Sequence, residues 1–596
     1  MWRRWSWAAR EGRWGFCSSP RWASRCCFWP STSATAARER PAAREVFGAL
    51  EQEARQIEEF VARYGERAAP AERAVSEAWW RLATTGNEEA RRELVRAGME
   101  YNEIFSDPDA FRKVRAWYAG REGIASALLR RQIEVLYGAF AACQGDSKTI
   151  SRIEELEAEA NALYGNHRAL VGGREVGENE IREILRTSRD DELRREAWEA
   201  SKTVGREAAP LVRELARLRN RLAREQGYEN HYVRALELQE IDPGELEGIM
   251  SRLEEETEAP FRELKRRLDA GLRKRFGVER VMPWHHADPF FQGCREDLAA
   301  LAGEAPDVDG FFRDRDLVEL ARRTYDALGL EIRDVLSRSD LTERPGKLQH
   351  AFCARIGREY PYDVRVLANV RPNAYWMETL LHELGHAVYD KHINPALPYF
   401  LRGYAHLATT EAVALMMGSL AEDPAWLSSV AGVPEAGERG VREHLRERER
   451  ADRLAFIRWA LVMYRFEREL YADPDREDLN GLWWDLVGRL QLLERPPGRD
   501  EPDWAAKIHI AVSPVYYHNY VLGYLIAAQL RDHLERYVTR GPFYESRSAG
   551  LYLLESLFGP GARENWRDTV ERATGAPLGT GRFVGSLRRG AESGSA

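Results

Sequence analysis

The residues best able to do chemistry lie in METLLHELGHAVYD, Met377 to Asp390. Read as a helix, this stretch sets His382 and His386 one turn apart on a single face, spaced to hold one divalent metal between them. Glu383 follows the first histidine, within reach of a water on the same ion. Leu380, Leu381, Leu384 and Val388 are apolar, so much of this helix is expected to be buried. A second apolar run, ATTEAVALMMGSL, begins 22 residues after His386 and offers Glu411 as a third ligand. Glu422 competes for that place on spacing alone. Two histidines, a glutamate and an open fourth position form the donor set of catalytic zinc, whereas a structural site fills every place with protein. The plain alternative is a pair of histidines used as helix surface or as buried hydrogen-bond donors.

The elements that must position these residues read mainly as helix. From about Phe47 onward apolar residues recur every three or four places, first in EVFGALEQEARQIEEFVARYGERA and then in SEAWWRLATTGNEEARRELVRAGMEYNEIF. Asp107-Pro108-Asp109 and Gln144-Gly145-Asp146 break the pattern. Ser151 to Leu170, Glu178 to Glu225 and Pro243 to Ala270 continue it, with Pro210 expected to kink or break one helix and Pro260 to break another. The stretch VERVMPWHHADPFFQG is an aromatic loop, and His285 and His286 within it are assigned to packing rather than to metal. The period falls towards two at Asp363-Val364-Arg365-Val366-Leu367, the best strand candidate, just before the metal helix. An edge strand there could hold an extended peptide by main-chain hydrogen bonds. Helices then follow over Val441 to Tyr471 and Leu482 to Leu493, and in the apolar second half of Trp504 to Leu530. The fold class is thus mainly α with a small β-sheet near 345–370, beside the metal helix.

Composition narrows the function. The chain has 596 residues and a formal charge of -8, with a net +6 confined to residues 1–45 and about -14 over the rest. No extended basic stripe remains after residue 45, which excludes a nucleic-acid partner. No run of 18 apolar residues exists to span a membrane. Residues 1–45, rich in Arg and Trp, lack the continuous apolar core of a signal peptide and read as a disordered or mis-called extension. Residues 46–589 read as a single two-lobed domain, and 590–596 as a frayed tail. Six cysteines, three of them (Cys17, Cys26 and Cys27) in the N-terminal stretch and Cys143, Cys294 and Cys353 far apart, imply no disulfide framework and point to a reducing, cytoplasmic location.

The catalytic half, about 345–530, resembles the angiotensin-converting-enzyme-like family of peptidyl-dipeptidases, and more distantly the thimet-oligopeptidase-like family. His382, Glu383 and His386 match the first ligand, catalytic glutamate and second ligand, and Glu411 in TTEAVALM matches the third. GKLQHAFCARI is similar to the segment that runs along the substrate, which carries over to His350 and Ala351. LWWDLV, the Pro496-Pro497 break and DWAAKIHI resemble the double-Trp helix and Lys-x-His segment of the family. The resemblance implies that Lys507 holds the C-terminal carboxylate of the substrate and that His509 bonds the substrate near the scissile bond. Tyr517 and Tyr520 match two tyrosines three apart, one at the carboxylate and one facing the developing oxyanion. The chain is one residue longer than the family pattern between His509 and this pair, so Tyr516 competes with Tyr517. Asn519 stands where animal members carry a chloride-binding arginine, so chloride activation is not carried over. Leu415 replaces an acidic residue four places after the third ligand, so the support of that helix must differ.

By this resemblance the expected architecture is a helical ellipsoid split by a deep channel with one zinc ion per chain at its floor. Short peptides are the expected partners, and the protein is expected to be a monomer or weak dimer. The expected activity is release of C-terminal dipeptides. An oligopeptidase cutting internal bonds and a helical binding protein without catalysis are the rivals, the second disfavoured because every residue the chemistry requires is present.

Overall fold

The computed structural model describes residues 36–301 and 306–588, with side chains for 51–299 and 306–588. The extension expected over residues 1–45 lies outside them as far as residue 35, with 36–45 described as helix, and the tail 590–596 lies outside them. The first amphipathic pattern forms one helix, Ala36–Thr85, which begins ahead of the Phe47 at which the pattern becomes visible in sequence. Gly86, at φ +65°, turns the chain, and Asn87 restarts it by accepting the Ala90 N–H at 2.8 Å to cap Glu88–Ile104. Pro210 and Pro260 sit inside continuous helices, Val204–Glu225 and Pro243–Phe276, so the expected break at Pro260 does not occur. A proline removes one helical hydrogen bond, and here Thr257, Phe261 and Leu264 are buried on both sides of Pro260, so packing carries the helix through.

Two antiparallel hairpins interrupt the helices. The first pairs β1 (Ala169–Val171) with β2 (Arg174–Val176) across Gly172 and Gly173, whose positive φ angles suit a tight two-residue turn. The helix expected to run to Leu170 ends at Asn166, and the strands occupy the gap before the helix that starts at Glu178. The second pairs β3 (Phe352–Arg355) with β4 (Val364–Leu367), setting Cys353 opposite Val366 and Ala354 opposite Arg365. The strand candidate at 363–367 is therefore β4, but its outer side is taken by Asp340, which bonds Val366 and Ala368 through its main chain at 2.9 Å each. The open edge belongs instead to β3, which has no further strand beside it among the described residues. Phe352 is held between Trp79 and Trp80 of the first helix, with ring centroids 5.7 and 6.0 Å away.

The metal helix spans Ala374–Lys391, capped by Asn373, whose side chain accepts the Trp376 N–H at 2.9 Å. Met377, Leu380, Leu381, Leu384 and Val388 are almost wholly buried. The second ligand helix, Leu407–Gly418, is apolar on all sides and accordingly buried on all sides, between the metal helix and the tyrosine helix Tyr517–His533. His406 caps it through Nδ1, which accepts the Ala408 N–H at 2.9 Å. The two ligand helices cross closely at Gly385, where an added Cβ would lie 2.9 Å from the Ala414 Cα. Backbone atoms cannot yield as a side-chain tip can. Gly385→Ala should therefore cost about 1–3 kcal/mol, read as a lower urea midpoint; an unchanged midpoint would show that the helices can separate freely.

Candidate active site

The close crossing brings three donors together. The Nε2 atoms of His382 and His386 each stand 3.8 Å from one oxygen of Glu411, Oε1 and Oε2 respectively. Donor atoms of all three residues lie within 4.8 Å of one another. That separation is too long for hydrogen bonds and close to that of ligands sharing one ion about 2 Å from each. A buried carboxylate with each oxygen facing an imidazole nitrogen is a setting that a divalent cation completes, so the donor set fits zinc. Glu422, the rival third ligand, is turned elsewhere: Oε1 meets Arg448 Nε at 3.1 Å and Arg295 Nη1 at 3.4 Å. Arg295 also pairs at 2.7 Å with Glu378, one turn before His382, which ties the start of the metal helix to this network.

Glycines on other helices make room for the donors. Gly418 leaves space against the His382 Cβ, which an added Cβ would approach to 3.3 Å. At Gly523, one turn beyond Tyr520 on the tyrosine helix, an added Cβ would come within 2.9 Å of the Glu411 Cγ. Leu415 packs at the same point and gives the ligands no polar support. Support comes from Thr410, whose Oγ1 lies 2.8 Å from His386 Nδ1.

Glu383 is buried beside the cluster, and the Cys353 N–H of β3 donates to its carboxylate. Burial pushes its carboxyl up to about 7, against the pull of His382 and of that N–H. Burial likewise raises the carboxyl of Glu411 and holds the His386 imidazole well below its usual range, which keeps the ring neutral with a lone pair to give. A cation among these atoms favours the ionised carboxylate and the neutral ring alike.

A second group of predicted residues meets around a side chain that sequence reading did not single out. Gln292, at the end of the aromatic loop, accepts from Lys507 Nζ at 2.7 Å and from the Tyr517 hydroxyl at 3.4 Å through the same Oε1. Lys507 also lies 5.6 Å from the ring centres of Phe290 and Trp459, and burial pulls its ammonium down to about 8. Tyr517, not Tyr516, is therefore the tyrosine beside the lysine. The His509 ring centre stands 5.1 Å from that of Tyr517, and Tyr520 packs on both Tyr516 and Tyr517. His350 is exposed on the turn into β3, and Ala351 is half-buried at its start. His285 and His286 stay apart from both groups, bonded to Asp191 at 2.6 Å and Asp297 at 2.7 Å. The Asn519 amide donates to Gln239 Oε1 at 2.8 Å, so a neutral side chain fills that place.

Comparison with known proteins agrees with this geometry. A family model described as angiotensin-converting enzyme matches residues 51–281 and 312–579, well over half of the chain. A mouse protein described as angiotensin-converting enzyme-like protein Ace3 is 22% identical over 427 residues, covering 67% of this chain. The chain spans 57% of the length of that relative.

Metal retention separates the carboxylates. Glu411→Ala should lose zinc on dialysis, whereas Glu422→Gln and Glu383→Gln should each keep about one ion per chain, as elemental analysis would report. Zinc retained at full stoichiometry by Glu411→Ala would remove Glu411 from the ligand set.

Proposed function

The chain belongs to the angiotensin-converting-enzyme family of zinc metallopeptidases, and from that premise we propose that it releases dipeptides from the C-termini of short peptides at a single zinc ion. The observation that carries this reading is the meeting of Lys507 and Tyr517 on Gln292. A cation, a phenol and an amide together suit a free carboxylate, and a peptide anchored there presents a bond a fixed distance inward from its end. Charge-assisted hydrogen bonds of this kind are worth roughly 1.5–3 kcal/mol each. The open edge of β3, continuous with Ala351, offers main-chain N–H and C=O groups to the rest of an extended peptide.

Zinc held by His382, His386 and Glu411 would supply a Lewis acid and lower the pKa of water. Glu383 accepts the proton of the attacking water and passes it to the leaving amine, as a carboxylate within hydrogen-bond reach can. The N–H of Cys353 fixes that carboxylate in place. Tyr520 or His509 donates to the carbonyl oxygen as it gains charge, a contribution of ~3 kcal/mol for one such donor. We read the location as cytoplasmic, a compartment that suits Cys294 and Cys353, which form no disulfide. A monomer or weak dimer acting on short peptides completes the reading.

The tests divide chemistry from end recognition. Glu383→Gln should lose ~10²-fold or more in kcat; a near-normal rate would take the proton-transfer role from it. Amidating the C-terminus should cut kcat/KM by ~10-fold or more, and Lys507→Ala should abolish the difference. Because the Lys507 ammonium titrates at about 8, kcat/KM for free-acid peptides should fall as pH rises through that value, and that for amidated peptides should not. Mixed cleavage positions on peptides of graded length, with no effect of amidation, would replace this reading with an oligopeptidase cutting internal bonds.

A further inference from the structure

The metal donors rest on a pairing that neither the ligand set nor the resemblance assigns. Both ring nitrogens of His386 face consecutive residues of the second ligand helix: Nδ1 lies 2.8 Å from Thr410 Oγ1, and Nε2 lies 3.8 Å from Glu411 Oε2. Among the described residues no neighbour duplicates the contact. Thr409 is committed at the cap of the helix, where its hydroxyl donates to the His406 carbonyl at 2.7 Å, receives the His406 N–H at 3.2 Å and stands 3.3 Å from the Tyr389 hydroxyl. Leu415, on the next turn, is apolar and packs against Gly523. Thr410 itself is 3% exposed, so water competes poorly for its hydroxyl.

We propose that Thr410 is the positioning residue of the metal centre, its Oγ1 accepting the Nδ1–H of His386 so that Nε2 presents a lone pair beside Glu411. The inference rests on the zinc reading above and adds a residue to it. An imidazole that ligates through Nε2 must carry its proton on Nδ1, and an acceptor fixed at Nδ1 selects that tautomer and the ring rotation together. Here the acceptor precedes the third ligand by one residue on a rigid helix, so a single turn orients the second ligand and supplies the third. A carboxylate in this role would add negative charge next to the ion; a hydroxyl orients the ring without doing so.

The test compares Thr410→Val, which keeps the shape and removes the hydroxyl, with Thr410→Ser, which keeps the hydroxyl. Zinc affinity of the full-length apoprotein is measured by competition with a chromophoric chelator, and apoprotein melting is followed alongside; Thr410→Ala replaces the valine variant should that fail to fold. Thr410→Val should bind zinc 10- to 100-fold more weakly, with Thr410→Ser at wild-type affinity. In the cobalt-substituted protein, the exchangeable Nδ1–H resonance of His386 should persist in wild type and Thr410→Ser and be lost by fast exchange in Thr410→Val. Wild-type affinity in Thr410→Val, or equal weakening in both variants, overturns the proposal and leaves the zinc reading standing. A normally folded wild-type apoprotein that takes up no zinc overturns both.

Discussion

The site depends on how closely three helices can approach one another. His382 and His386 lie on one helix and Glu411 on another, and their donors meet only because Gly385 lets backbone touch backbone at Ala414. Gly418 clears the base of His382, and Gly523 lets the tyrosine helix press on the stem of Glu411. These contacts lie among side chains that are almost fully buried, Leu380, Leu384, Ala412 and Val413 among them, so the surrounding core cannot relax to accommodate a displaced helix. Tight packing thereby fixes donor separations that no hydrogen bond among the three donors would hold.

That packing also sets the electrostatics. Glu383 and Glu411 are buried carboxylates whose ionised forms water does not stabilise, and Arg295 and Arg448 are spent on Glu378 and Glu422 nearby. The ligand carboxylate is thus left in a setting that a divalent cation would complete. Around Gln292 the logic reverses, since Lys507 is a half-buried cation set among aromatic rings, and the charge it calls for is negative. The two groups thus suit partners of opposite charge, a metal cation at one and an anion at the other.

Much of this was legible in sequence where local spacing carries the information. The His–Glu–x–x–His turn, the apolar helix bearing Glu411 and the period-two stretch at 363–367 each describe neighbours along the chain. Spacing could not separate Glu411 from Glu422, because the choice is made by Arg295 and Arg448, remote in sequence from one or both. Nor could it reach Gln292, which meets Lys507 across 215 residues; a polar residue closing an aromatic loop was its one local sign. The hairpin at Gly172-Gly173 carried a turn signal that helical periodicity on either side obscured. Pro260 misled for the opposite reason, a local rule overridden by burial on both sides. Thr410 stood beside a ligand and still escaped notice, since which hydroxyl of Thr409-Thr410 faces the imidazole depends on helix phase.

The span between Gln292 and Lys507 bears on the order in which a ribosome delivers the parts. All three metal donors and Glu383 fall within residues 382–411, whereas Lys507 and Tyr517, which meet on Gln292, follow about a hundred residues later. A nascent chain thus owns the metal donors before it owns the residues that meet on Gln292. Gly523, which seats the tyrosine helix against Glu411, lies on the same helix as Tyr517, so one late-synthesised element touches both groups.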